Sequence, residues 1–138
     1  MHGCYNGIGL WFIEGVAGIR VHASESPPLT IRAGVDAGDL THAHGHREAL
    51  HGVASSSWAL LPSGHFVHNI TVPAGGTAKI YLPSSQAGAA GITESGESLS
   101  HAVGVLSVMP QQITVNKINF VVLIAASGQY SFQSEWAR

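Results

Sequence analysis

Alternating histidines are the first residues of this sequence whose type and spacing could do chemistry. His42, His44 and His46 occupy every second position, so they share one face if this segment is a β-strand. Imidazoles at that spacing can ligate one zinc ion, and His51 could return from the next strand as a further ligand. The alternative is a solvated polar strand face. We favour this alternative and predict no metal or other cofactor, because no cysteine lies near these histidines.

Carboxylates and hydroxyls are the other groups that could act in catalysis, as general acid, general base or nucleophile. Glu94 and Glu97 are close in sequence, but they flank a predicted turn, and we expect a solvated turn pair. Residues 55–57 are three serines in a predicted strand, with no evident base beside them. The sequence therefore predicts no catalytic residues in this chain.

The composition points to a single domain whose surface is poor in charge. The 138 residues carry a formal net charge of -2, and only 10% of them are charged, against about a quarter in an average domain. This balance gives no electrostatic attraction to nucleic acid or to an anionic membrane. We expect part of such a surface to be covered by something else. One cysteine, Cys4, excludes an internal disulfide.

The start of the chain has some features of a secretion signal. Residues 7–13 are apolar, and Val21-His22-Ala23 resembles a small-residue cleavage site. However, Glu14 follows the apolar stretch and no lysine or arginine precedes it, so the segment is not a convincing signal peptide. The compartment stays unknown, and a parent protein could be cytoplasmic or secreted.

Two different periodicities divide the chain near residue 20. Before that point, apolar residues recur at spacings of one, three and four, which predicts a helix with Gly18 near its end. The apolar positions are Ile8, Trp11, Phe12, Ile13, Val16 and Ile19. After that point, short apolar stretches alternate with glycine and proline turns at about ten-residue spacing, which is typical of a β-sandwich. The predicted fold is therefore mainly β, an antiparallel β-sandwich preceded by one N-terminal helix.

Strands are predicted wherever apolar residues alternate between turn residues. In the stretch 66–72, Phe66, His68, Ile70 and Val72 would face inward, which makes His68 a neutral core histidine with a hydrogen-bond partner. Pro73 and the Gly75-Gly76 pair are predicted to end that strand and form a turn. The predicted strands cover residues 29–32, 40–46, 53–61, 66–72, 78–82, two short strands within 91–99, 103–108, 118–125 and 130–133.

Several motifs together resemble the C-terminal part of bacterial-type α-L-rhamnosidases of glycoside hydrolase family 78. Residues 11–20, Trp-Phe-Ile-Glu-Gly-Val-Ala-Gly-Ile-Arg, are similar to the end of that family's last barrel helix, and residues 2–9 resemble the stretch before it. Residues 66–73 and 77–83 resemble the strands Phe-x-Leu-x-Val-x-Ile-Pro and Thr-Ala-x-Val-x-Leu-Pro. Further similar positions are Leu40-Thr41-x-Ala43, Gly52, Trp58, Thr93-Glu94-Ser95-Gly96 and residues 128–132.

The resemblance implies a division of the chain and a role for it. Residues 1–20 would be the terminal helix of a missing (α/α)6 catalytic barrel, and residues 21–138 would be the C-terminal β-sandwich. In the family the catalytic carboxylates lie in the barrel, so this chain would be a non-catalytic accessory fragment of an enzyme that hydrolyses terminal α-L-rhamnosides with inversion. His2 matches a histidine that contacts rhamnose in a complete barrel.

The partner implied by the resemblance is that catalytic barrel, and self-association of the isolated chain is expected from its uncovered apolar surface. An alternative function is a carbohydrate-binding module that uses exposed aromatic side chains to bind rhamnosides or polysaccharide. The aromatic residues considered for it are Trp58, Tyr81, Tyr130 and Trp136.

Overall fold

The computed structural model describes residues 11–138, and nearly all regular structure in that range is β. Two short helical segments occur there, a π-helix at Phe12–Ala17 and a 3-10 helix at Leu99–His101. No helix among the described residues is long and apolar enough to cross a membrane. The strands are β1 Ile19–Val21, β2 Leu29–Arg32, β3 His42–Ala49, β4 Gly52–Leu60, β5 His65–Pro83, β6 Thr93–Glu94, β7 Glu97–Ser98, β8 Val105–Val108, β9 Ile113–Val115 and β10 Ile118–Glu135.

Two long strands, β5 and β10, organise the fold by running through both layers of the sandwich. They pair with each other antiparallel, in two blocks of continuous register. The first half of β5 also pairs with β4, and β4 with β3. The second half of β5 pairs with β2, and β2 with β1, while the first half of β10 pairs with β8 and β9. We call the layer containing β3 and β4 sheet II and the layer containing β1 and β2 sheet I.

The prediction of a turn at Gly75-Gly76, after a strand ending at Pro73, is wrong. Val72 pairs with Gly128 and Thr77 pairs with Ala126, so residues 73–76 bulge out opposite Ser127. Gly75 has a φ of 78° and Gly128 a φ of 152°, values that glycine adopts without steric cost. The bulge bends both strands from one layer into the other. The separately predicted strands 66–72 and 78–82, and likewise 118–125 and 130–133, are therefore single bent strands.

The core lies between the two layers, and it contains the inward set that the alternation predicted. Phe66, His68, Ile70 and Val72 in β5 are all buried. Sheet I contributes Ile31, Ile80, Leu82 and Leu123 to the same cluster. Burying each large apolar side chain contributes roughly 1.5–3 kcal/mol, so this shared cluster holds the layers together.

Tight hairpins join neighbouring strands at four places in the described range. The hairpin predicted around Glu94–Glu97 is confirmed, with Ser95 and Gly96 at positive φ between β6 and β7. The strand β9 was not predicted. It pairs with the start of β10. Asn116 and Lys117, with φ values of 50° and 68°, form the turn between the two strands. The other two hairpins join β3 to β4 and β4 to β5.

The N-terminal helical prediction falls partly outside the described residues. Of its apolar positions, Ile8 lies in the undescribed range, and Trp11 immediately precedes the π-helix. Gly18, with a φ of 90°, ends the helix as predicted. Ile19 was predicted as helical but begins β1, because it pairs with Ile31 and enters the core.

The sheet is antiparallel except for the β2–β5 pair, which is parallel.

Candidate functional site

The segment from Phe12 to Val21 is attached to the inner surface of sheet II by buried hydrogen bonds. The indole Nε1 of Trp58 donates to the carbonyl oxygen of Val16 at 2.8 Å. The hydroxyl of Ser56 donates to the carbonyl oxygen of Ala17 at 2.7 Å. Both donors come from β4 and are about 1% exposed. The last turn of the π-helix therefore has buried side-chain donors for two of its carbonyls.

Two glycines allow the backbone of this segment to approach the rest of the domain closely. The amide of Gly34 donates to the carbonyl of Val16 at 3.0 Å, and the amide of Arg32 donates to that of Gly18 at 2.8 Å. A Cβ atom on Gly34 would lie 1.9 Å from the backbone oxygen of Gly15, and one on Gly18 would lie 1.9 Å from that of Arg32. Only glycine fits at these two positions, so the junction is built for backbone contact.

Apolar side chains remain exposed where this attached segment begins. Trp11 is 58% exposed and Phe12 is 40% exposed. The nearby Arg47–Glu14 ion pair, at 3.7 Å, is partly exposed and adds little stability. Other large apolar side chains with substantial exposure are Leu40, Leu50, Val53, Leu61, Val103, Leu106 and Met109. The two adjacent aromatic side chains thus form an uncovered apolar patch on a firmly held segment.

Ser56 and His68 form a buried pair that the sequence did not reveal. The Ser56 hydroxyl lies 2.7 Å from Nε2 of His68, although the three serines showed no base along the sequence. The Ser56 proton is already donated to Ala17, so His68 donates through Nε2–H and its Nδ1 is an unprotonated acceptor with no partner among the described residues. Burial lowers the pKa of His68 to about 3. The pair is a neutral core contact that no substrate can reach.

The predicted neutral core histidine is therefore correct, and β-sheet register explains why its partner was missed. Ser56 pairs with Ile70 across β4 and β5, while His68 pairs with Trp58. Alternation along β4 indicates that Ser56 points inward between Ala54 and Trp58, but the register that brings it to His68 depends on the turn between the strands.

The alternating histidines form a solvated strand face, as favoured above. His42, His44 and His46 are all exposed on β3. His51 lies in the turn after β3, where its ring contacts the bulge near Gly75, and it does not join the other three. Within residues 11–138 no group of three or more histidine, cysteine or acidic side chains could hold a metal ion.

Two of the four aromatic residues considered for the alternative carbohydrate-binding function are buried. Trp58 is 1% exposed and Tyr130 is 6% exposed, because both point into the core. Tyr130 stacks on Phe132, and its hydroxyl donates to the carbonyl of Ala126 at 2.7 Å. Burial raises the pKa of the Tyr130 hydroxyl, and the charge of Glu94 adds to this rise. Neither ring can stack on a sugar.

The acidic pair in the β6–β7 hairpin is only half solvated, contrary to expectation. Glu97 is exposed, but Glu94 is 9% exposed and accepts hydrogen bonds from the Ser95 hydroxyl and, at 2.9 Å, from the amide of Ser131. The Glu94 carboxylate therefore holds the hairpin against β10. His2, the substrate-binding residue implied by the resemblance, lies outside the described residues.

The outer face of sheet II forms an open groove of about 750 Å³ lined mainly by uncharged polar residues, with Gly45, Ile70 and Tyr130 also in its lining. Strand register arranges eight of the polar residues in two rows, each crossing four strands. We call these eight residues the polar face. Its first row is His44, Ser57, Asn69 and Ser131, and its second row is His46, Ser55, Thr71 and Gln129.

Comparison with solved structures identifies the class of fold as the β-sandwich found in rhamnosidases. An α-L-rhamnosidase from Streptomyces avermitilis, solved with L-rhamnose, matches with a TM-score of 0.68 and 23% identity over 94% of this chain. An α-L-rhamnosidase from Dictyoglumus thermophilum matches with a TM-score of 0.68 and 20% identity over 95% of this chain. The chain spans 11% and 14% of those two chains, respectively. These similarities show a shared fold.

Sequence comparison then identifies the family. The model of the bacterial α-L-rhamnosidase C-terminal domain matches residues 29–97, from the start of β2 to the β6–β7 hairpin. The chain belongs to this family of C-terminal domains, as its motifs indicated. A comparison with curated protein sequences finds no match.

Proposed function

We propose that this chain is a non-catalytic accessory domain that packs against the catalytic (α/α)6 barrel of an α-L-rhamnosidase. In this proposal residues 1–20 are the end of the barrel's last helix and its exit into the sandwich formed by residues 21–138, and residues 16–20 already pack on that sandwich. The parent enzyme hydrolyses terminal α-L-rhamnosides with inversion, using carboxylates of the barrel. His2 donates or accepts a hydrogen bond with a rhamnose hydroxyl only when the whole barrel surrounds it.

The observation that carries the proposal is the contrast between the two ends of the attached segment. From Val16 onward it is held by buried hydrogen bonds to Trp58, Ser56 and Gly34. At its start, Trp11 and Phe12 are exposed. A firmly held segment that presents two aromatic side chains to solvent fits a contact with a domain that precedes it, because burial of those rings stabilises such a contact.

The lack of catalysis is supported by the positions of the groups that could act. The Ser56–His68 pair is buried, and the Glu94 carboxylate already accepts a hydrogen bond from the amide of Ser131. Incubating the chain with p-nitrophenyl α-L-rhamnoside tests this part of the proposal directly. We expect no release of nitrophenol above a blank, and release that scales with protein concentration would overturn the proposal.

The docking part of the proposal is tested through the exposed aromatic pair. We expect the chain to self-associate at high concentration, and the double variant Trp11→Ser/Phe12→Ser to remain monomeric in light scattering. The control variant Val103→Ser changes the most exposed apolar side chain, in the loop before β8, and should associate like the wild type. Equal association of all three proteins, or none in the wild type, would contradict docking through Trp11 and Phe12.

A further inference from the structure

The polar face consists of side chains whose hydrogen-bonding groups are not used within the described chain. Six of the eight are exposed, and Ser55 and Thr71 are half-buried. No hydrogen bond joins any of these eight side chains to another residue in the range 11–138. By contrast, inward polar side chains of the same strands, such as Ser56 and Ser134, have protein partners. The face therefore offers two rows of free donors and acceptors to a ligand.

The chemistry of these rows favours a neutral ligand. Hydroxyl, amide and neutral imidazole groups each supply both donors and acceptors, as the hydroxyls of a sugar do. The face contains no lysine or arginine, the residues that recognise carboxylate or phosphate. Three of the chain's basic residues lie instead on sheet I, where Arg32 and Lys79 lie 6.0 and 5.9 Å from the ring centre of Tyr81 and Arg20 lines the same surface depression. An anionic ligand would be drawn there.

The composition of the face also argues against a protein partner. The centres of protein interfaces are enriched in aromatic and apolar side chains, because these contribute most of the binding energy. The polar face has none among its eight members. The exposed aromatic residues Trp11 and Phe12 belong to the segment that covers the opposite, inner side of sheet II, where Ala17 meets Gly45.

The dimensions of the groove fit a chain of several sugar units. Adjacent strands lie about 4.8 Å apart, so a row across four strands extends about 14 Å, and the two rows are about 7 Å apart. The groove above them has a volume of about 750 Å³ and is open to solvent. We propose that the polar face binds a neutral oligosaccharide or polysaccharide through hydrogen bonds to its two rows. The site requires no barrel, so it does not depend on the proposed function.

Affinity electrophoresis of the full chain tests this site. Native gels are cast with one of five neutral polysaccharides, namely dextran, xylan, arabinan, galactan and rhamnan, or with anionic polygalacturonate. We expect at least one neutral polysaccharide to slow migration. The double variant Asn69→Ala/Gln129→Ala removes one amide from each row and should weaken binding to that polysaccharide at least tenfold, as measured from the dependence of mobility on its concentration.

The matched control changes exposed polar side chains outside the face. Ser107→Ala/Gln111→Ala alters β8 and the loop after it and should bind like the wild type. Unchanged migration in every neutral gel would overturn the proposal. So would equal retardation of the Asn69→Ala/Gln129→Ala variant, and so would retardation by polygalacturonate alone, which would assign binding to the basic residues of sheet I.

Discussion

The indole of Trp58 and the carbonyl of Val16, 42 positions apart in the chain, meet in a buried hydrogen bond of 2.8 Å. The bond joins the second half of β4 to the last turn of the π-helix. The same carbonyl accepts the amide of Gly34 at 3.0 Å, so one oxygen receives donors from two parts of the sandwich. The segment that leads toward the preceding part of the chain is therefore held by the core itself.

Replacing Trp58 with Phe should lower the free energy of unfolding by about 1–3 kcal/mol. The variant keeps a ring in the core but leaves the indole donor's place empty, which removes one buried hydrogen bond and creates a small cavity. Urea denaturation measures the change. The control Trp136→Phe alters a half-buried ring that makes no side-chain hydrogen bond in the described range, and its effect should be smaller. Equal losses would show that the Trp58 bond contributes nothing specific.

Neighbouring serines provide a second matched comparison. Ser56→Ala removes the donor to Ala17 and leaves the Nε2–H group of His68 buried without an acceptor, so we expect a loss of about 1–3 kcal/mol. Ser57→Ala lies one position along β4 on the solvent face and should change stability by less than about 0.5 kcal/mol. Thermal unfolding of both variants measures the difference. If Ser56→Ala leaves the stability unchanged, His68 must find another hydrogen-bond partner in the variant.

Burial of His68 should make stability depend on pH in the acid range. The pKa of His68 is about 3 in the folded chain, against 6.5 when unfolded. Between these values the unfolded state binds one proton more, so the free energy of unfolding falls by about 1.4 kcal/mol for each pH unit of acidification. Above pH 6.5 the contribution is constant, and below pH 3 it is fully lost.

Denaturation curves at several pH values for the wild type, His68→Gln and His44→Gln test this dependence. His68→Gln should be less stable near neutral pH but should lose less stability on acidification. His44→Gln changes an exposed imidazole and should keep the wild-type slope. Parallel curves for all three proteins would mean that His68 does not remain neutral in the fold.

The alternation of apolar residues predicted most strands, and the misplaced boundaries have a common cause. Residues 29–32 and the inward positions of β5 agree with the structure, because a period of two determines which side chains face the core. Pro73 and Gly75 were interpreted as a turn, yet they form a bulge that bends β5 between layers. Local sequence does not distinguish a turn from a bulge, because both require the same residue types. Only the pairing with β10 determines which of them forms.

The contacts of the candidate site were harder to predict than its strands. Trp58 was considered a sugar-stacking residue, although its place between Ser56 and Leu60 on β4 also fitted burial. Its role is determined by its hydrogen bond to the carbonyl of Val16, which belongs to a segment distant in the sequence. The polar face was likewise visible only as the His42–His46 alternation, because its other members come from β4, β5 and β10 and are assembled by register.

Gly34 should not tolerate even the methyl group of alanine at the junction. Its φ is not in the left-handed region, so the argument rests on space alone, and a Cβ atom there would overlap the Gly15 oxygen at 1.9 Å. Gly34→Ala must push the π-helix away from the sandwich, which weakens the bonds from Trp58 and Ser56 to it. We expect a loss of about 3 kcal/mol in the free energy of unfolding, at the upper end for overpacking.

Hydrogen exchange shows whether that loss comes from the junction. The amide of Gly18, which donates to Ile13 at 2.8 Å, should exchange faster in Gly34→Ala, while amides in the β5–β10 pair should keep their relative protection. Gly38→Ala is the matched control. Gly38 has a φ of 75° but nothing within 4 Å of an added Cβ, so only local backbone strain of about 1 kcal/mol is expected. Unchanged exchange at Gly18 in Gly34→Ala would mean that the close approach of Gly34 to Gly15 does not hold the segment in place.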